Sequence, residues 1–152
     1  MVLTSKIKKV ERDEVYAYIS NPVVTTCTDA DVYYFIEGTF VNEVLECWNI
    51  VPPLTYLGYC GTSNVFKIHL NASLTFNTAS NLIHLSLFKN NILQTNSIMG
   101  IYIKNTSEEY TCSLVDVLTF NPGDFVDIRL KASQAGSEVI AEHITTSLNR
   151  FF

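Results

Sequence analysis

The sequence predicts an all-β protein, a sandwich or barrel of the jelly-roll kind with about ten strands. Three observations carry that expectation. Valine, isoleucine and threonine number 14, 13 and 15, and aromatic residues make up 12% of the 152 residues, so side chains that favour a pleated, half-buried surface dominate. From Val65 to Asn77 the chain alternates strictly, with Phe66, Ile68, Leu70, Ala72, Leu74 and Phe76 on one face and Lys67, His69, Asn71, Ser73, Thr75 and Asn77 on the other. Short runs of this kind are separated by Gly, Pro and Asn turns, with no convincing amphipathic helix between them.

Taken in order, residues 1–14 mix charges of both signs from Lys6 to Glu14, with Ile7 and Val10 three apart, and read as an N-terminal arm or short helical tether. The jelly-roll domain then occupies 15–152. Strands are expected at Val15 to Ile19, Tyr33 to Ile36, Phe40 to Ile50, Leu54 to Tyr59 and Val65 to Asn77. Asn81 to Phe88 follows, with Ile83, Leu85 and Leu87 opposite His84 and Ser86, and is expected to lie beside the preceding strand. Lys89-Asn90-Asn91 makes its turn, because Asn tolerates positive φ. The remaining strands are Ile98 to Lys104, Tyr110 to Phe120, Phe125 to Lys131 and Val139 to Ser147. Turns fall at Asn21-Pro22, Gly38, Pro52-Pro53, Gly61, Asn105, Asn121-Pro122-Gly123-Asp124 and Ala135-Gly136. Glu43 to Trp48 has some helical flavour, yet its apolar positions fix neither period, and a strand is preferred there.

Ten basic against fifteen acidic residues give a net charge of −5. That is a poor footprint for neutralising phosphates, so no nucleic-acid partner is expected. Charged residues reach only 16% while hydrophobic ones reach 47%, and mean hydropathy is +0.17. Part of the surface is therefore expected to be covered by copies of the chain or by a larger assembly. The first fourteen residues lack the apolar core of a secretory signal, and the longest apolar run, around Ile101 to Ile103, is far shorter than the ~20 residues that span a bilayer. Cys27, Cys47, Cys60 and Cys112 include no C-x-x-C pair and read as unpaired, mostly buried thiols in a reducing compartment. The sequons at Asn71 and Asn105 read as accidental.

From Val15 onward the order of signals resembles the trimeric jelly-roll domains shared by the complement globular head, tumour necrosis factor and many phage and virus surface proteins. The residues that carry it are Val15-Tyr16-Ala17-Tyr18, Leu54-Thr55-Tyr56-Leu57-Gly58, Leu85-Ser86-Leu87-Phe88-Lys89-Asn90-Asn91 and Gly123-Asp124-Phe125-Val126. The third of these is similar to the Lys-Asn-Gly turn of viral forms, with Asn91 in place of Gly. The fourth is similar to a Gly-Asp-Tyr-Val turn leading into the penultimate strand. The resemblance implies a tumour necrosis factor-like homotrimer used as a capsid decoration, spike or fibre head. It implies a virion protein made in the host cytoplasm, meeting other virion proteins through its N-terminal arm. A carbohydrate- or receptor-binding adhesin on the same fold, meeting a host surface glycan or receptor, is the alternative.

Several strands show apolar or aromatic residues on both faces, as Tyr16 and Tyr18 do against Ala17 and Ile19. In the resembled family the first strand, the strand matching Tyr110 to Phe120 and the last strand lie in the sheet that meets its copies around a threefold axis. Tyr16, Tyr18, Tyr110, Leu114, Ile140, His143 and Ile144 are thereby implied at the interface. Either Ile140, Ile144 and Leu148, or Val139, Ala141 and His143, would approach the axis.

Signals for chemistry are weaker. His69, His84 and His143 belong to no spaced ligand set. His69 and His84 could share one side of adjacent strands, and three copies of His143 could meet on an axis. Asp29, Asp31, Asp124 and Asp127 form no calcium loop, and no serine sits in a G-x-S-x-G elbow. No enzymatic activity, metal or cofactor is expected. Tyr33, Tyr34, Tyr56, Tyr59, Tyr102 and Trp48 could form a sugar-stacking platform, with core packing as the simpler alternative.

Overall fold

The computed structural model describes residues 15–42, 47–51 and 56–150, and the arm expected over 1–14 lies outside them. Among the described residues there are twelve strands and no helix: β1 Val15–Pro22, β2 Val24–Cys27, β3 Tyr34–Phe35, β4 Gly38–Asn42, β5 Trp48–Val51, β6 Tyr56–Tyr59, β7 Asn64–Phe76, β8 Asn81–Lys89, β9 Ile92–Ile103, β10 Tyr110–Phe120, β11 Phe125–Ala132 and β12 Ser137–Arg150. They form two six-stranded antiparallel sheets. The first runs β10-β7-β12-β1-β4, with β2 also pairing β12; the second runs β5-β6-β11-β8-β9, with β3 also pairing β11.

β7 is the spine of the first sheet, because β10 covers one of its edges and β12 the other over almost its whole length. Its alternation is as read from the sequence: Phe66, Ile68, Leu70, Ala72, Leu74 and Phe76 are all buried between the sheets. The second sheet answers with Ile83, Leu85 and Leu87 from β8 and Val126, Ile128, Leu130 and Ala132 from β11. At one end four rings close on one another. Trp48, which is 1% exposed, lies 4.7 Å from Tyr59, 5.2 Å from Phe66 and 5.0 Å from Phe120 between ring centroids. At the other end the buried Asn81 amide donates to Ser137 Oγ at 2.8 Å and accepts from Ser133 Oγ at 2.9 Å, so no polar group is stranded where β8 meets β12.

The structure corrects several expectations. Val24–Cys27, four residues long and one residue beyond Asn21-Pro22, is a separate strand, and Asn21-Pro22 ends β1 rather than making a turn. The long strand expected from Phe40 to Ile50 is β4 and β5, and both residues 43–46 between them and Leu54 lie outside the described ones. β9 begins at Ile92, not Ile98, because it pairs with β8 directly from the turn and then bulges. Most important, β7 and β8 are not neighbours: the short link between them crosses from one sheet to the other. Alternation tells a strand which face to bury and says nothing about which strand it joins.

Two of the turn motifs meet at the Trp48 end. Asn90 and Asn91 have φ of 50° and 64°, the left-handed pair that a two-residue hairpin of matching twist requires. Asn90 then donates through its amide to Asp124 Oδ1 at 2.8 Å and accepts the Phe125 N–H at 3.0 Å, while Lys89 Nζ sits 3.2 Å from Asp124 Oδ2. Burial pushes the Asp124 carboxyl up, but the Asn121 N–H, the Asn90 amide and the Lys89 ammonium together outweigh it and hold the group below its ordinary value of 3.8. Stabilisation from a lowered carboxyl is present above the ordinary value and is lost as pH falls through the folded one. Asp124→Asn should therefore cost about 1–2 kcal/mol in urea unfolding at about pH 6, and almost nothing at about pH 2. An equal deficit at both pH values would contradict this account.

Candidate functional site

The face of the first sheet turned away from the second is the candidate site. Register lines its residues up in rows across four or five strands. One row reads Ser113, Asn71, Thr145, Tyr18 and Val41, and the next Val115, His69, Ser147 and Tyr16. These two rows contain no Asp, Glu, Lys or Arg. Charge appears only towards the ends of the face, at Lys67, Glu109, Glu138 and Glu142. Tyr16 is 38% exposed and its ring lies 6.1 Å from that of Tyr18; at the β10 edge Val115 and Val117 are 51% and 44% exposed. Short hydroxyl and amide side chains fill the middle, where Ser113 Oγ donates to Asn71 Oδ1 at 2.6 Å. A shallow depression of about 240 Å³ lies between them, lined by Asn71, Ser73, Thr111, Ser113, His143 and Thr145. Ser73 Oγ is held by Glu109 and Thr75 Oγ1 by Glu142, so both carboxylates lean onto the sheet rather than into the depression.

Of the seven residues implied at an interface, Tyr16, Tyr18, Ile140 and His143 lie on this open face. Leu114 and Ile144, at 7% and 1% exposure, point between the sheets. Tyr110 also faces inward, its ring 5.8 Å from Phe76, and its hydroxyl accepts the Lys104 and Asn105 N–H groups at 3.0 Å each. It anchors the loop before β10. For Ile144 the physical reason is a bulge in β12 between Ala141 and His143. Val139 and Ala141 face inward before it and Ile144 and Leu148 face inward after it, so neither triplet expected at an axis lies on one face. Sequence reasoning gave the Lys67-to-Thr75 face of β7 to solvent and did not single out Thr145, Ser147 or Val41, which stand in the same rows. Pairing across strands was the missing information.

The other groupings that the sequence offered are placed apart in the fold. His69 and His84 belong to different sheets. Asp127 is buried against Arg129, whose Nε donates to it at 2.6 Å, and Asp124 is committed to its turn. The Asp29 carboxylate accepts from the Tyr34 hydroxyl at 3.1 Å. Among the described residues no group of three or more His, Cys, Asp or Glu side chains could hold a metal. Trp48 and Tyr59 are core residues and offer no platform; the side chain of Tyr56 lies outside the described ones, and Tyr102 is 55% exposed. No helix among the described residues is long and apolar enough to cross a membrane.

Comparison with known proteins gives the class. No protein-family model matches the chain, and no curated protein matches its sequence. Solved structures do match. Murine APRIL superposes with a TM-score of 0.60 in its pH 8.5 structure and 0.61 at pH 5.0, at 8% and 7% identity, over 90% of this chain and 98% of that one. Eiger TNF from S. frugiperda follows with a TM-score of 0.55 and 12% identity, over 91% of this chain and 93% of its own. The protein has a tumour necrosis factor-like jelly-roll fold, as the motif order implied. At identities this low the likeness is one of fold.

Proposed function

We propose that the chain is a non-enzymatic structural protein of a virion, a capsid decoration, spike or fibre head, that assembles as a homotrimer through the open face of its first sheet. The observation that carries the assembly is the pair of adjacent rows without a charged residue, flanked by paired tyrosines on one side and exposed valines on the other. A solvated sheet face normally interleaves charge, whereas a face that meets copies of itself gains from flat, short and apolar side chains. The tumour necrosis factor-like fold agrees with threefold assembly, and the Lys89-Asn90-Asn91 turn, similar to that of viral forms, favours a viral setting. Residues 1–14 would attach the head to other virion proteins.

Light scattering of the purified chain should give about 51 kDa, three times 17.1 kDa, independent of concentration in the micromolar range. Thr145→Arg, which places a charge in the middle of the uncharged rows, should leave a folded monomer, while Tyr102→Arg on the other sheet should remain trimeric. A 17 kDa wild-type monomer would remove the assembly. The virion setting is checked by mass spectrometry of purified particles, where the chain should be recovered in stoichiometric amount; presence in infected cells but not in particles counts against it.

A recognition module on the same fold is the second reading, favoured by Tyr102, Leu82 and Ile98, which stand exposed on the outer face of the second sheet. A glycan array should then show hits that Tyr102→Ala removes. Hits unchanged by that substitution, or none above background, dispose of it.

A further inference from the structure

Away from the open face, β9 carries a glycine where a strand gains least from one. Gly100 stands within this twelve-residue strand; its φ is not positive, and the bulge in the β8–β9 pair lies elsewhere, between Ser86 and Phe88. The fold does not need the space either. A Cβ at Gly100 would meet only the His84 ring, 3.4 Å from Cδ2 and 3.6 Å from Nε2, and Leu82 Cδ1 at 3.7 Å, all ordinary contacts. A strand glycine that serves neither backbone nor packing points to close approach by another molecule. Met99 and Ile101 pack against the core, so alternation puts Ile98, Gly100 and Tyr102 on the outer face of the second sheet, and the missing side chain leaves a notch between exposed Ile98 and Tyr102. Leu82, also exposed, stands opposite Tyr102. Register continues the notch into a row, Gly100 opposite His84 and His84 opposite Lys131. His84 has no hydrogen-bond partner among the described residues, and its Nε2 borders the notch. Lys131 lies over the Tyr33 ring at 5.1 Å and belongs to neither ion pair among the described residues, whereas the carboxylate of this face, Asp127, is paired with Arg129. The charge left over on the face is therefore positive.

Resting on the second reading above and narrowing it, we propose that the Gly100 notch binds the terminal sugar of an acidic glycan, one that carries a carboxylate. The C–H face of the sugar ring lies on Tyr102, whose ring offers an apolar surface with a polar tip, and Leu82 and Ile98 flank it. The absent Cβ lets the sugar come down to the β9 backbone. The two carboxylate oxygens accept from the Lys131 ammonium and from His84, donors that register sets side by side. A hydrogen bond to a charged group is roughly twice as strong as a neutral one, so the acid rather than the hydroxyls decides which sugar is held. Assembly through the first sheet would leave this face in solvent.

The test titrates the full chain with 3′-sialyllactose and, separately, with lactose, read by saturation-transfer NMR. The sialylated probe should bind, with its strongest signals on the ring protons of the acidic sugar, and lactose should bind about tenfold more weakly or not at all. Gly100→Val suits a strand and fills the notch, so it should melt no lower than wild type and yet lose the signal. Tyr102→Ala should lose it too, and Lys131→Gln should weaken binding about threefold to tenfold. Equal binding of the two probes, or binding that Gly100→Val or Lys131→Gln leaves intact, overturns the inference while the recognition reading stands. No binding of the sialylated probe also overturns it, and a blank glycan array then removes the recognition reading as well.

Discussion

The two-residue period of β7 is the constraint on which the rest depends. Its inward residues from Phe66 to Phe76 supply the largest continuous contribution to the core, and its two edges fix β10 and β12 in register over their length. A one-residue slip of β7 would turn Lys67, His69 and Asn71 inward and expose six apolar side chains, at a cost of the order of 10 kcal/mol from lost burial alone. With β7 fixed, the same register decides what stands on the outer side. The rows through Asn71 and His69 exist because β10, β12 and β1 are aligned to this one strand, so the core and the open face have a single origin.

Two of the four motifs that carried the resemblance in the sequence turn out to be parts of one contact. Lys89-Asn90-Asn91 and Asn121 to Asp124 are more than thirty residues apart, yet Asn90 bonds both the Asp124 side chain and the Phe125 backbone, and Lys89 completes the site. Asn121 N–H and Asp124 Oδ2 close the second turn on itself at 2.8 Å. Gly123, with φ of 91°, donates its N–H to the Tyr59 carbonyl and ties the turn to β6. Each turn is bonded to the other, which is a physical reason for these short patterns to appear together.

Fold class and most strands were legible because alternation is a local property and the turns carry Gly, Pro and Asn where the backbone needs them. Non-local features were not. The strands β7 and β8 are joined by four residues and look like a hairpin in the sequence, but Asn77 N–H bonds the Glu138 carbonyl and the chain then crosses to the other sheet. The bulge in β12 has no Gly or Pro to announce it, and it moved Ile144 and Leu148 from the expected interface into the core. Trp48 and Tyr59 could equally have been surface aromatics on composition alone; only their proximity to Phe66 and Phe120 makes them core.

The two sheets deal with their outer faces in opposite ways, and this asymmetry bears on which face meets a partner. On the second sheet the chain covers much of the outer face itself. Tyr33 reaches across to bond Ser86 at 2.9 Å and packs edge-on to Phe88 at 5.0 Å, while Arg129 lies between Phe35 and Phe88 at 4.2 and 4.3 Å from their rings. Arg129 also holds Asp127, whose carboxyl is raised by burial in spite of that cation. Ser86, Phe88 and Asp127 are therefore buried although they point away from the sandwich. Among the described residues nothing comparable lies over the central rows of the first sheet, where paired tyrosines, valines and hydroxyls stand without charge. A charged outer face can remain in water or be sealed intramolecularly, but a flat and uncharged one lowers its free energy most by meeting a surface of the same kind. The proposed threefold contact through the first sheet would satisfy that condition and would leave the second sheet facing outward.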